Sequence, residues 1–145
     1  MNELFAPEHI GTMPAFFLYV EDDAANRRVL QMLFTKMLSQ FELMIFEDSA
    51  GFLEKVKALP RKPDVFLLDI QVRPYNGYEM LAMLRADPDY KNAVVIALTA
   101  SVTNEEVLKL REQGFNGAVG KPFSIATFPA LIERIASGGS VWHIS

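Results

Sequence analysis

Four apolar runs in this chain end on residues that can do chemistry. Phe16-Phe17-Leu18-Tyr19-Val20 stops at Glu21-Asp22-Asp23, and Val65-Phe66-Leu67-Leu68 stops at Asp69. Ala93 to Leu98 stops at Thr99, and Ala118-Val119 runs into Gly120-Lys121-Pro122. Short continuous apolar runs read as strands buried on both faces, as in a parallel sheet covered by helices. The residue that ends such a strand lies at the carboxyl edge of the sheet, where open α/β sheets bind their ligands. Carboxylates gathered at one edge repel each other unless a cation joins them. Hard oxygen ligands in that number suit Mg2+, which keeps several waters and favours phosphate oxygens. A lysine and a hydroxyl across the cluster offer donors to an anion. The chemistry implied is an acid, a divalent metal and a phosphoryl group between them, with Asp69 as a carboxylate nucleophile that forms an acyl phosphate.

The elements that must position these residues alternate along the chain. Strands are expected at 16–20, 43–46, 65–69, 93–98 and 118–119. Between and after them fall five helical patterns. Helix 1, roughly Ala25 to Ser39, carries Leu30, Leu33, Phe34 and Met37 on one face at helical spacing. Asp48 or Ser49 is placed to cap helix 2, whose inner stripe is Phe52, Val56 and Leu59. Asn76-Gly77 is a turn signal before helix 3, and Thr103 to Glu106 has the capping-box pattern before helix 4. Gly114 stops that helix. Thr127 and Pro129 open helix 5. Five strands alternating with helices mean a parallel sheet with right-handed crossovers and helices on both faces. Residues 1–15 read as an arm, 16–137 as the domain, and 138–145, opening on Gly138-Gly139-Ser140, as a tail containing the only tryptophan, Trp142.

Bulk properties narrow the class. At 145 residues and 50% hydrophobic, the chain has room for one full core. A formal net charge of -4 argues against a dedicated nucleic-acid binder. Without cysteine, zinc-thiolate sites and thiol catalysis are excluded. No apolar run approaches the ~20 residues of a membrane helix, so a cytoplasmic protein is expected.

Five short motifs in this order and spacing, Val20-Glu21-Asp22-Asp23, Leu67-Leu68-Asp69-Ile70-Gln71, Asn76-Gly77-Tyr78-Glu79, Ala97-Leu98-Thr99-Ala100 and Gly120-Lys121-Pro122-Phe123, make the chain resemble the receiver domain of bacterial two-component response regulators. The resemblance spans about Phe16 to Ser137. It implies a flavodoxin-like, doubly wound five-stranded sheet of order 2-1-3-4-5 with five helices, as in stand-alone chemotaxis-type regulators. It implies Asp69 as phosphoacceptor, with a sensor histidine kinase or histidine phosphotransfer protein as donor. It implies Mg2+ held by Glu21, Asp22, Asp69 and the backbone carbonyl of Gln71, and phosphoryl oxygens met by Thr99 and Lys121. A partner face on helix 4, strand 5 and helix 5 follows, with a homodimer as one possible assembly. Too few residues follow Ser137 for a DNA-binding module, so output through protein contacts is expected. Two positions depart from the family pattern. Arg73 stands where a proline is usual, four residues after the phosphoacceptor, and Ala118 stands where a tyrosine or phenylalanine is usual.

Taken singly, each residue has a plainer role. Asp22 or Asp23 alone is an ordinary N-cap, Thr99 a β-branched residue at a strand end, and Lys121-Pro122 a turn. Two other functions compete with the receiver. A scaffold that works without phosphorylation would suit Ala118. An Asp-nucleophile phosphatase commonly carries a second acid two residues after the nucleophile, and here that residue is Gln71.

Overall fold

The computed structural model describes residues 13–101 and 103–143. The arm expected at 1–15, with His9, lies outside the described residues except for its last three, as do Val102 and the last two residues of the tail. Strands β1 (Phe16–Val20), β2 (Glu42–Phe46), β3 (Val65–Asp69), β4 (Val94–Thr99), β5 (Gly117–Gly120) and β6 (Val141–His143) form one parallel sheet of order β2-β1-β3-β4-β5-β6. Helices α1 (Ala24–Met37), α2 (Phe52–Lys57), α3 (Gly77–Arg85), α4 (Asn104–Gln113) and α5 (Phe128–Ala136) alternate with the strands.

The strands bury both faces, which is why they read as unbroken apolar runs. Leu18, Val20, Phe66 and Leu68 pack with side chains from α2, α3 and α4, whereas Phe17, Tyr19 and Leu67 pack with α1 and α5. The order reverses between β1 and β3, so the crevice at their carboxyl ends is the topological switch point. Glu21, Asp22 and Asp69 lie at that point.

The sheet has one strand more than the five expected. Val141–His143 pairs in parallel with β5, in the register Gly117↔Val141, Ala118↔Trp142 and Val119↔His143. A three-residue strand behind a Gly-Gly-Ser joint has too little alternation to announce itself. Val141 faces the α5 layer, and Trp142 packs on the α4 side in the same core cluster as Ala118. Gly117 makes this pairing possible, because a Cβ there would run into the Val141 carbonyl oxygen.

Helix ends follow the cap chemistry more closely than the apolar spacing. Asp23 is the N-cap of α1, its Oδ1 accepting from Ala25 N at 2.8 Å and Asn26 N at 3.2 Å. α1 ends at Met37, which is exposed, and the buried residue at that end is Leu38. α2 is capped by Gly51 at φ 58, not by the Asp48 or Ser49 side chain. Asn76 and Glu79 form a full capping box at α3. At α4 only half of the box is made: Thr103 accepts from Glu106 N, but the Glu106 carboxylate is taken by the Tyr78 hydroxyl at 2.5 Å. Thr127 makes no side-chain cap at α5. Far from the acidic edge, Arg85 donates to the carbonyls of Lys91, Ala93 and Gly114 and to Asn116 Oδ1, joining the end of α3 to the starts of β4 and β5 and the end of α4.

Candidate phosphoacceptor site

Three consecutive acids after β1 divide their work. Asp23 is spent on the helix cap. Glu21 turns inward and is almost fully buried, while Asp22 remains exposed. The hydroxyl of Tyr19 donates to Glu21 Oε1 at 3.0 Å, and Asp23 N donates to Glu21 Oε2 at 3.2 Å. Arg27 Nη1 donates to the Glu21 carbonyl at 3.0 Å. The strand alternation that buries Tyr19 beside Phe17 thus supplies a donor beneath the acid. Sequence reading missed Tyr19, because a tyrosine inside an apolar run looks like core.

Asp69 ends β3 and is 4% exposed. Its Oδ1 accepts from Lys121 Nζ at 3.0 Å and from Gln71 N at 3.3 Å. Lys121 Nζ also lies 3.5 Å from Glu21 Oε1, so one ammonium bridges two carboxylates from separate strands. One carboxylate oxygen each from Glu21, Asp22 and Asp69 lie within 4.8 Å of one another. This all-oxygen set, short of positive charge by more than Lys121 supplies, fits a hard divalent cation. The electrostatics agree: burial, and then the neighbouring Asp69, raise the Glu21 pKa above the usual carboxylate range, against the lowering effect of Lys121. Burial first, and then Glu21, push the Tyr19 phenol upward, so it stays a proton donor at neutral pH.

Thr99 is buried at the end of β4 but is joined to the cluster only through its backbone, its carbonyl accepting from Lys121 N at 2.8 Å. Its hydroxyl is engaged locally, accepting from Ser101 N at 3.0 Å and donating to the Ser101 carbonyl at 3.2 Å. Gln71 is exposed and touches the site through its N–H. The expected set of Asp69, Lys121, Glu21 and Asp22 therefore converges, with Gln71 and Thr99 on its rim.

Residues 17–133 match the response regulator receiver domain family. The chain belongs to that family. DivK, a polar-differentiation response regulator of Brucella anthropi, is 28% identical over 125 residues, which are 86% of this receiver and 96% of that protein. Response regulator Rcp1 of Synechocystis is 28% identical over 130 residues, covering 86% and 88% of the two chains. The hybrid signal transduction histidine kinase D of Dictyostelium discoideum is 32% identical over 88% of this receiver, but the match is only 8% of that kinase. Among solved structures, the bacteriophytochrome response regulator RtBRR superposes with a TM-score of 0.72 at 27% identity, over 83% of this receiver and 77% of that chain. The Mn2+-bound form of Rcp1 superposes with a TM-score of 0.69 at 26% identity, over 86% and 93% of the two chains.

Proposed function

We propose that this receiver takes a phosphoryl group onto Asp69 from a histidine kinase or a histidine phosphotransfer protein and passes the signal on by protein contacts. The observation that carries the reading is Lys121 Nζ at 3.0 Å from Asp69 Oδ1, inside a trio of carboxylates from two strand ends. In the transfer, an Asp69 oxygen attacks the phosphorus of a phosphohistidine. The O–P bond forms, the N–P bond breaks, and the imidazole nitrogen keeps the electron pair and takes up a proton. Lys121 shifts from the carboxylate to the phosphoryl oxygens, where its charge offsets the negative charge of the transferred group. Thr99 exchanges its bond to the Ser101 carbonyl for one to a phosphoryl oxygen.

Glu21, Asp22, Asp69 and the Gln71 carbonyl would hold Mg2+. A divalent ion there offsets repulsion between the acids and the incoming phosphoryl group. The acid set itself and the Mn2+-bound form of the related Rcp1 support this. Gln71 and Ser101 flank the path of an attacking water. Neither is ionisable, so autodephosphorylation is slow. The lack of a second acid at position 71 also weighs against a phosphatase. The presence of every polar group that phosphorylation needs weighs against an inert scaffold. The output face is α4, β5 and α5, with the outer edge of β5 covered by β6. The cytoplasm is the compartment proposed, and among the described residues no helix is long and apolar enough to cross a membrane.

The test is labelling with acetyl phosphate in the presence of Mg2+. Wild type takes up label and Asp69→Asn does not. Equal labelling of the two proteins overturns the assignment.

A further inference from the structure

Arg73 occupies the position where the family usually has proline, and its backbone does what proline cannot. Its N–H donates to Asp22 Oδ2 at 3.1 Å. Its carbonyl accepts from Ser49 N at 3.0 Å. One peptide segment thus links a carboxylate of the acidic cluster to a residue in the loop after β2. Ser49 is fully buried, and its hydroxyl closes on the same segment: it accepts from Tyr75 N at 2.6 Å and donates to the Tyr75 carbonyl at 2.7 Å. Three of the four backbone polar contacts of Arg73 and Tyr75 therefore end on one serine, and the fourth ends on Asp22. An exposed aspartate has several rotamers open to it. Asp22 has one oxygen held by a backbone amide whose own position is locked from behind.

We infer that Ser49 and the Arg73 peptide group are positioning elements for the metal site, fixing the Asp22 carboxylate with one oxygen engaged and the other left for the cation. The inference rests on the receiver reading above. Hydrogen-bond partners behind a metal ligand orient it, and their loss typically weakens metal binding by about 10–100-fold. A serine that merely closes a loop contributes to thermal stability and leaves cation affinity alone. The two roles separate in the measurement.

Mg2+ is titrated calorimetrically into the full chain as wild type, Arg73→Ala, Arg73→Pro and Ser49→Ala, with a thermal melt of each. Arg73→Ala keeps the N–H and should bind within about twofold of wild type, whereas Arg73→Pro should bind about tenfold more weakly. Ser49→Ala should weaken binding in the same direction by a smaller factor, since Ser49 N still reaches the Arg73 carbonyl. An Arg73→Pro protein that binds Mg2+ as wild type does overturns the inference. If that variant does not fold, Ser49→Ala decides, and an unchanged affinity with a lowered melting temperature reduces Ser49 to a loop closure. Equal weakening by Arg73→Ala traces the effect to the side chain and also defeats it. Wild type that binds no Mg2+ defeats the proposed Mg2+-dependent phosphoacceptor function itself, before any variant is compared.

Discussion

Trp142 stands beside Ala118 in the parallel register of β5 and β6, on the same face of the sheet, with the Arg111 guanidinium 4.3 Å over its ring. The neighbouring strand thus sets a large side chain next to the small one at position 118. Trp142 is the only tryptophan, so its emission reports this one contact. Wild type should emit to the blue of free tryptophan. Gly117→Ala puts a Cβ against the Val141 carbonyl oxygen and 3.0 Å from Ile96 Cδ1, so β6 should detach and the emission move to the red. Identical spectra for the two proteins would mean that the strand is not held there.

Gly77 lies against the backbone of Asp69 and Ile70. An added Cβ would meet the Asp69 carbonyl oxygen and Ile70 Cα at 3.0 Å, and Ile70 Cδ1 at 2.9 Å. Two of these neighbours are backbone and cannot swing aside. Gly77→Ala should cost about 1–3 kcal/mol of stability, in the range of overpacked cores. The relief must come from moving Asp69 or α3, so labelling by acetyl phosphate should slow as well. Chemical denaturation and phosphodonor kinetics on the same sample check both. Unchanged labelling with lowered stability would show that α3 yields instead.

The ion pair between Lys57 Nζ and Asp87 Oδ2, at 2.6 Å, sets a pH window. The Lys57 hydrogen bond and then the Asp89 N–H lower the Asp87 pKa, and the same hydrogen bond raises that of Lys57. For Asp87, whose folded pKa is depressed, the stabilisation is present above the unfolded carboxylate value and is lost as pH falls through the folded one. For Lys57, whose folded pKa is raised, it is present below the unfolded ammonium value and is lost as pH rises through the folded one. The stability difference between wild type and Lys57→Met should be flat between about pH 5 and 9 and shrink below about 4 and above about 10.5. A difference that keeps its full size at pH 2 would assign the loss to packing of the lysine stem.

The sequence was most readable where one physical requirement dominated. Double-sided burial spells out β1, β3, β4 and β5 as apolar runs, and the polar residue that follows or ends each run marks the site edge, which makes Glu21, Asp69, Thr99 and Lys121 legible in the sequence. Which of Asp22 and Asp23 caps α1 stays open in the sequence, because it depends on which way the chain turns after Val20. Neither Asp48 nor Ser49, the two expected caps of helix 2, caps it, and Ser49 is a loop clamp, since a serine before a helix looks the same in either role. Met37 fitted the apolar stripe of α1, but the helix ends there and Leu38 takes the buried place. β6 escapes a sequence reading because three residues behind a glycine joint are too short for a pattern, with buried Val141 on the α5 side and partly buried Trp142 on the α4 side.

Arg85 gives the molecule a fixed foot. Its guanidinium binds the Gly114 carbonyl at 2.8 Å, at the end of α4, and ties that end to the starts of β4 and β5. The other end of α4 follows the turn in which Thr99 holds Ser101. With ten residues, α4 is a lever about 15 Å long, expected to pivot near Gly114 when Asp69 is phosphorylated. Arg111, and Trp142 beneath it, sit close to that anchored end, where the expected travel is smallest. A fluorophore attached at Glu105, on the first turn, should therefore register the stroke of the lever on phosphorylation more strongly than the native tryptophan does.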